Sequence, residues 1–252
     1  MASFVKSKLK KKYRTQGLQK NFKRQETNKS LFLVLKRVVD ISVSLLIIVF
    51  VLSWLLPVLA ILIKLDSPGP VFFVQSRVGF LSFDFRCIKL RTMVINTDSD
   101  SKQAVDNDPR ITWLGQFLRI TSLDELPQFF NVLKGDMSIV GPRPFMKSDD
   151  ILFSDRVSNY DIRYYAKPGI TGMAQVKGFR GPTVSFHSIF HRYQWDAFYI
   201  RNACPSLDFK IIQLTVRQIF KSIFSFRANR PEVLDMNRTS LLMDKIRIDN
   251  IH

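Results

Sequence analysis

The chain has 252 residues, with 38 Lys and Arg against 21 Asp and Glu, a formal net charge of +17 and a pI near 10.1. At 46% hydrophobic residues it can bury a core in one domain plus additional segments, and its charge asks for an anionic partner: nucleic acid, an anionic membrane face or a phosphorylated small substrate. Its two cysteines, Cys87 and Cys204, have neither zinc nor redox spacing, which argues against a structural disulfide and for a reducing compartment.

Residues 1–30 carry ten Lys or Arg against the single Glu26 and little apolar periodicity, the pattern of a mobile or surface-bound arm. No secretory signal is visible, because the first long apolar run begins only after Asp40 and lacks a small-residue cleavage site. That run, residues 41–63, has 23 residues and no charge, enough to cross a bilayer. Both of its flanks are basic, however, and basic flanks prefer the cytoplasm. Pro57 removes one helical hydrogen bond and Ser53 could take up a freed carbonyl, so a bent segment that enters and leaves one face competes with a straight span. The flanking charge favours the bent form.

Ser67-Pro68-Gly69-Pro70 stops this helix, and Val71 to Val74 is short and β-prone. In CIKLR an extended chain places Lys89 and Arg91 on one side of a strand, and residues 96–110 form a polar loop long enough to suggest a function.

TSLDELPQFF, residues 121–130, puts two carboxylates side by side in a basic chain. Ser122 and Glu125 fit a capping box, with Leu123, Leu126, Phe130 and Leu133 at helical spacing and Lys134-Gly135 as the helix end, so Asp124 and Glu125 are expected in a first turn. From these ten residues alone, capping explains more than catalysis. In SIVGPRP two prolines stiffen the backbone that presents Arg143, a suitable phosphate clamp, and Gly141 permits a turn.

KPGITGMAQVKGFRG, residues 167–181, is a glycine-punctuated loop with Lys167, Lys177 and Arg180 but no Walker or dinucleotide pattern. His187 and His191 are four apart with no third ligand at a supporting spacing, so they read as surface histidines. Ile212, Val216, Ile219, Phe220 and Ile223 form an apolar stripe edged by Lys210, Arg217 and Lys221, equally compatible with an interfacial membrane helix and a core-facing one.

Taken together, KRVVD, KLDSPGPVFFVQSRVG, NDPRIT, TSLDELPQFFNVLKGDMSIVGPRP and KPGITGMAQVKGFRG resemble the bacterial sugar transferases, the monotopic phosphoglycosyl transferases, in unbroken order from about Lys36 to Phe220. The resemblance implies a mainly helical α+β fold: a membrane-monotopic catalytic core with a re-entrant helix-break-helix, broken near Ser53 and Pro57, and a small β element. The expected layout is a basic arm at 1–35, the re-entrant helix at 36–66, a cytoplasmic catalytic domain with interfacial helices at 67–226 and a polar tail at 227–252.

The implied activity moves a sugar 1-phosphate from a nucleotide diphosphate sugar, at family level a UDP-hexose, to undecaprenyl phosphate at the cytoplasmic face of the bacterial inner membrane, initiating surface polysaccharide or glycan assembly. The Asp124-Glu125 dyad would carry the chemistry, with Asp124 as nucleophile and Glu125 holding Mg²⁺. Lys89, Arg91, Arg119, Arg143, Lys167, Gln175 and the helix N-terminus around Ser122 are the phosphate and substrate candidates. Membrane lipids are the further expected partner, and homo-oligomerisation is left open.

Three departures stand out. Ser53 and Pro57 are not adjacent as they are in many members, NACPSLD replaces the family's NWSLWLD-like segment, and only the basic arm precedes the apolar run where long members have further transmembrane helices. The competing reading is a non-catalytic basic scaffold on membranes or nucleic acid, but no nucleic-acid module signature supports it.

Overall fold

The computed structural model describes residues 30–96, 103–105, 108–181 and 186–228, with side chains as far as Phe224. Most of the basic arm, the tip of the polar loop and nearly all of the C-terminal tail lie outside these residues.

The apolar run forms one continuous helical rod, Leu31–Asp66, of 36 residues. It comprises helix α1 (Ser30–Ile47), a π-helical turn (Ile48–Leu52) and helix α2 (Ser53–Asp66). Ile47, Leu52 and Ser53 all keep right-handed helical angles. Where a break was expected, the helix instead widens by one turn just ahead of Pro57.

In that turn the Ser53 amide donates to the Ile48 carbonyl. The Ser53 hydroxyl then takes the Val49 carbonyl and the Trp54 indole takes that of Phe50. Side chains thus satisfy carbonyls that lipid could not. The carbonyl that Ser53 serves is Val49's, not the one vacated by Pro57.

Both ends of the rod are tied to the same domain. At one end Lys36 Nζ meets Asp208 at 2.6 Å, Arg37 donates to the carbonyls of Val132 and Leu133, and Asp40 accepts from the Ile139 amide at 2.9 Å. At the other, Arg91 donates to the carbonyls of Pro68 and Ser67, and Leu59 and Ile63 pack with Leu90, Leu114 and Leu118.

The β element is an antiparallel hairpin, β1 (Phe72–Val78) and β2 (Asp84–Leu90), in which Phe73 faces Lys89 and Arg77 faces Phe85. Helix α3 (Trp113–Thr121) follows, then a single 3₁₀ turn at Leu123–Glu125 and helix α4 (Gln128–Lys134). Strands β3 (Ser138–Val140) and β4 (Gly169–Thr171) pair in parallel. Between them lie helix α5 (Lys147–Arg156) and a 3₁₀ segment (Tyr160–Tyr165). Helices α6 (Met173–Val176), α7 (Phe186–Asn202) and α8 (Pro205–Ala228) complete the described chain.

Gly135 ends α4 in the left-handed region at φ 98°, as its place after Lys134 predicted. Gly141 is not a turn residue: a Cβ there would stand 2.2 Å from the Lys167 carbonyl, so it is the close β3–β4 approach that demands glycine. Helix α8 divides its stripe. Ile212 and Ile219 are half-buried, whereas Val216, Phe220 and Ile223 are exposed, so one edge of the stripe packs on the domain and the other presents apolar side chains outward.

Around the unusual NACPSLD segment, Asp208 binds Lys36 and also accepts from the Tyr199 hydroxyl at 2.7 Å. This aspartate therefore fastens α8, α7 and the apolar helical rod together. Cys87 and Cys204 are both free thiols.

Candidate active site

The expected capping box does not form. Ser122 ends α3 at φ 62° in the left-handed region and makes no side-chain cap; its hydroxyl accepts from Arg180 Nη2 at 2.7 Å. Pro127 has no N–H with which to continue an α-helix, so the Leu126 amide bonds the Leu123 carbonyl in 3₁₀ fashion and the next helix starts at Gln128. Asp124 and Glu125 therefore sit in an isolated turn between two helices. Ser122 thus precedes only a single 3₁₀ turn and not the N-terminus of an α-helix.

The turn carries its carboxylates inward: Asp124, Glu125, Gln128 and Asn131 are all buried. Asn131 acts as a strand edge for β2, accepting from the Ile88 amide at 3.0 Å and donating to the Arg86 carbonyl at 2.7 Å. Of the apolar stripe that marked this helix in the sequence, Leu123 packs on the Leu90–Leu118 cluster, Leu126 and Leu133 are half-buried and Phe130 is 38% exposed.

Glu125 Oε1 accepts from Lys89 Nζ at 2.9 Å and Arg143 Nη2 at 2.8 Å, while Arg180 stands 3.7 Å from Oε2. Burial would raise Glu125, but Arg143, Lys89 and Arg180 outweigh it and hold the carboxyl well below the usual carboxylate range. Asp124 differs. Burial first, and the Glu125 charge second, push it up to about 6, against the pull of Lys89, Arg119 and Arg143. Among the described residues no hydrogen bond holds its carboxylate. One acid is thus locked as a supported anion and its neighbour is left free and more basic, a division of roles seen where paired carboxylates do chemistry.

Both acids line a cavity of about 1110 Å³, large enough for a nucleotide-sized ligand, together with Lys89, Arg91, Arg119 and Arg143. Arg119 is fixed by donating to Thr92 Oγ1 at 2.8 Å. Arg143 is presented by the Pro-flanked loop, whose main chain is held from behind: Arg163 Nη2 donates to the Arg143 carbonyl at 2.7 Å and Arg163 Nε to buried Asp196 at 2.9 Å. Arg91 is on the cavity wall, but its guanidinium is spent on the carbonyls that close the apolar helical rod.

Two expected site residues are elsewhere. Lys167 lies by Gly135 and Arg37 at the foot of α1, and Gln175 is buried with its amide on the Ile170 carbonyl at 3.1 Å. Neither lines the cavity. Arg77 and Arg192 do, though the motifs did not single them out; their signal, arginine at an apolar strand end and on a helix, has no distinguishing pattern in sequence. His187 and His191 meet each other at 2.9 Å on the exposed face of α7, and the described residues hold no cluster of three metal-ligating side chains.

The profile of the family described as "Bacterial sugar transferase" matches residues 31–222, three quarters of the chain and every element that builds this cavity. The chain belongs to the bacterial sugar transferase family. Similar curated proteins include the "UDP-glucose:undecaprenyl-phosphate glucose-1-phosphate transferase" of Klebsiella pneumoniae, 46% identical over 73% of this chain and 40% of that protein. The protein of the same name from Caulobacter vibrioides is 45% identical over 72% of this chain and 68% of its own. The "UDP-N-acetylgalactosamine-undecaprenyl-phosphate N-acetylgalactosaminephosphotransferase" of Aeromonas hydrophila is 40% identical over 75% of this chain and 44% of its own. The matched region thus spans about two fifths of the Klebsiella and Aeromonas family members.

Proposed function

We propose that this chain transfers a sugar 1-phosphate from a nucleotide diphosphate sugar, a UDP-hexose, to undecaprenyl phosphate, through a covalent aspartyl-phosphosugar intermediate on Asp124. The observation that carries this reading is the asymmetry of the dyad. Asp124 has a buried, unbonded carboxylate facing a large cationic cavity, beside a Glu125 already neutralised by Lys89 and Arg143. The relatives' names, all ending in sugar-phosphate transfer to an undecaprenyl phosphate, support the substrate classes.

In the first step an Asp124 oxygen attacks the sugar-bearing phosphorus, the bond from that phosphorus to the bridging oxygen breaks, and nucleoside monophosphate leaves with the electron pair. In the second an oxygen of the lipid phosphate attacks the same phosphorus and the bond to Asp124 breaks. The carboxylate returns and a lipid diphosphosugar departs. With its carboxyl near 6, Asp124 is mostly ionised at neutral pH and needs no general base. Lys89, Arg119 and Arg143 offset the approach of anion to anion, in a site where burial strengthens each charge.

Mg²⁺ suits the donors present. It takes one or two carboxylates and completes its shell with water and substrate oxygens, and here Asp124 and the Oε2 edge of Glu125 have no closer protein partner than Arg180 at 3.7 Å. Bound there with a diphosphate, it would neutralise developing phosphate charge.

The membrane segment is read as monotopic, with both termini and the active site on the cytoplasmic face of the inner membrane. Support comes from the attachment of both ends of the rod, through Lys36, Arg37 and Asp40 at one and Arg91 at the other, to one domain. The test of the chemistry is a reaction without acceptor. With donor and Mg²⁺ the enzyme should release at most about one nucleoside monophosphate per active site and keep the sugar phosphate. Multiple turnovers with nothing retained on the protein would refute the covalent reading.

A further inference from the structure

The cavity has a second cationic pole that the dyad chemistry does not use. Arg77 and Arg192 both line it, and neither forms a salt bridge with a carboxylate among the described residues. Arg77 donates to the Pro144 carbonyl at 3.2 Å and Arg192 to the Gly181 carbonyl at 2.6 Å, while the Nε of each is shut away from water without a hydrogen-bond partner. Burial first, then for Arg192 the nearby Arg143, lower both guanidiniums, Arg192 to about 10. Asp149, on the same cavity wall, and Asp196 act on these guanidiniums without reaching salt-bridge distance, so they offset the cost of burial only in part, and an anionic ligand would offset the rest.

The register of the hairpin says which anion. Lys89, which supports the dyad, lies opposite Phe73, and Arg77 is four residues further along Phe73's strand, about 13 Å between backbones at ~3.3 Å per residue. The two long side chains narrow that span by both reaching toward Glu125, so that neighbouring phosphates of one diphosphate can meet them. The near end of this floor is where Arg91 grips the end of the membrane helix, flanked by exposed Phe72, Ile95 and Trp113. A lipid-borne phosphate would arrive there. Arg77 is at the opposite end of the strand from that entrance, and Arg143, which bonds Glu125, also acts on Arg77.

We propose that Arg77 and Arg192 form the subsite for the leaving nucleotide, binding the phosphate that stays with the nucleoside, while the transferred phosphate and later the lipid phosphate use the Lys89–Arg119 pole. This rests on the transferase reading of Asp124 and adds to it a division of the cavity between the two phosphates of the donor. Arg77 and Arg192 thereby stabilise the departing monophosphate and set product release.

The test uses the full chain in nanodiscs, with uridine monophosphate as probe. Its dissociation constant is measured by calorimetry for wild type, Arg77→Gln and Arg192→Gln, alongside KM for the donor and the single-turnover rate of lipid acceptor with preformed phosphosugar enzyme. Each Gln variant should weaken uridine monophosphate and raise donor KM by about tenfold or more, the scale of one lost charged hydrogen bond, and change the acceptor step less than about twofold. Arg192→Lys, which keeps the charge and most of the volume, should recover part of the affinity and serves if the Gln variant does not fold.

Unchanged nucleotide affinity in the folded variants overturns the assignment, as does a loss confined to the acceptor step. A missing donor-only burst in wild type would count against the covalent reading alone, because nucleotide binding is measured separately.

Discussion

Replacing Asp124 by Asn should make the protein more stable while abolishing its chemistry. The carboxyl is raised from 3.8 to about 6 because the fold buries it beside the anion of Glu125. The folded state therefore binds this proton more tightly than the unfolded chain, and stability falls as pH rises from about 4 to 6, with the full penalty present above that range. At about 1.4 kcal/mol per pH unit, the penalty at neutral pH is about 3 kcal/mol. Asn carries no charge to desolvate and keeps most of the side chain's shape.

For a chain of this size, about 2–4 °C per kcal/mol predicts a rise in Tm of about 6–12 °C at pH 7.5. The assay is thermal unfolding of wild type and Asp124→Asn in nanodiscs at pH 7.5 and about pH 4.5, with the donor-only burst measured on the same samples. The gap should shrink by more than half at the lower pH and the burst should be absent from the variant. A variant no more stable than wild type at pH 7.5, or a gap independent of pH, would refute the claim that an unfavourably buried carboxylate is stored here. A full burst from the variant would place the nucleophile elsewhere.

Three further outcomes are expected. The wild-type burst should be half-maximal near pH 6 and fall about tenfold per unit below it, and Glu125→Gln, by removing the second cause of the raised carboxyl, should move that limb to lower pH at saturating Mg²⁺. An unmoved limb would dissociate it from Asp124. Arg143→Lys should lower kcat/KM about tenfold or more, because one ammonium cannot serve both Glu125 and a phosphate as the guanidinium fork can; near-normal turnover at subsaturating donor would exclude bidentate recognition. In a Cys204→Ser background, a cysteine placed in the arm before Lys36 should resist an impermeant thiol reagent added outside intact cells, and labelling from outside would defeat the monotopic topology.

Much of the molecule is determined by short-range chemistry and was legible in order along the chain. The uncharged run at 41–63 specifies a helix long and apolar enough to cross a membrane, Ser67-Pro68-Gly69-Pro70 stops it, Gly135 ends α4, and CIKLR supplies the strand that carries Lys89. Family membership was legible for the same reason, since the motif blocks and their order are properties of sequence alone.

What only the tertiary structure decided is what those residues face. Apolar spacing located α4 but could not reveal that Gln128 and Asn131 are buried in it beside Val132, and Asp124 and Glu125 in the turn before it, because periodicity assumes that the inside is hydrophobic. The capping box failed because Pro127 cuts the helix into a separate turn, and because Glu125 finds stronger partners than an amide in Lys89, 36 residues away, and Arg143, 18 away. The difference between Asp124 and Glu125 is likewise invisible in the letters DE. Two adjacent carboxylic acids have nearly the same intrinsic affinity for a proton, and only the long-range placement of cations around one of them, with burial of both, makes one a fixed anion and the other a free carboxylate facing the cavity.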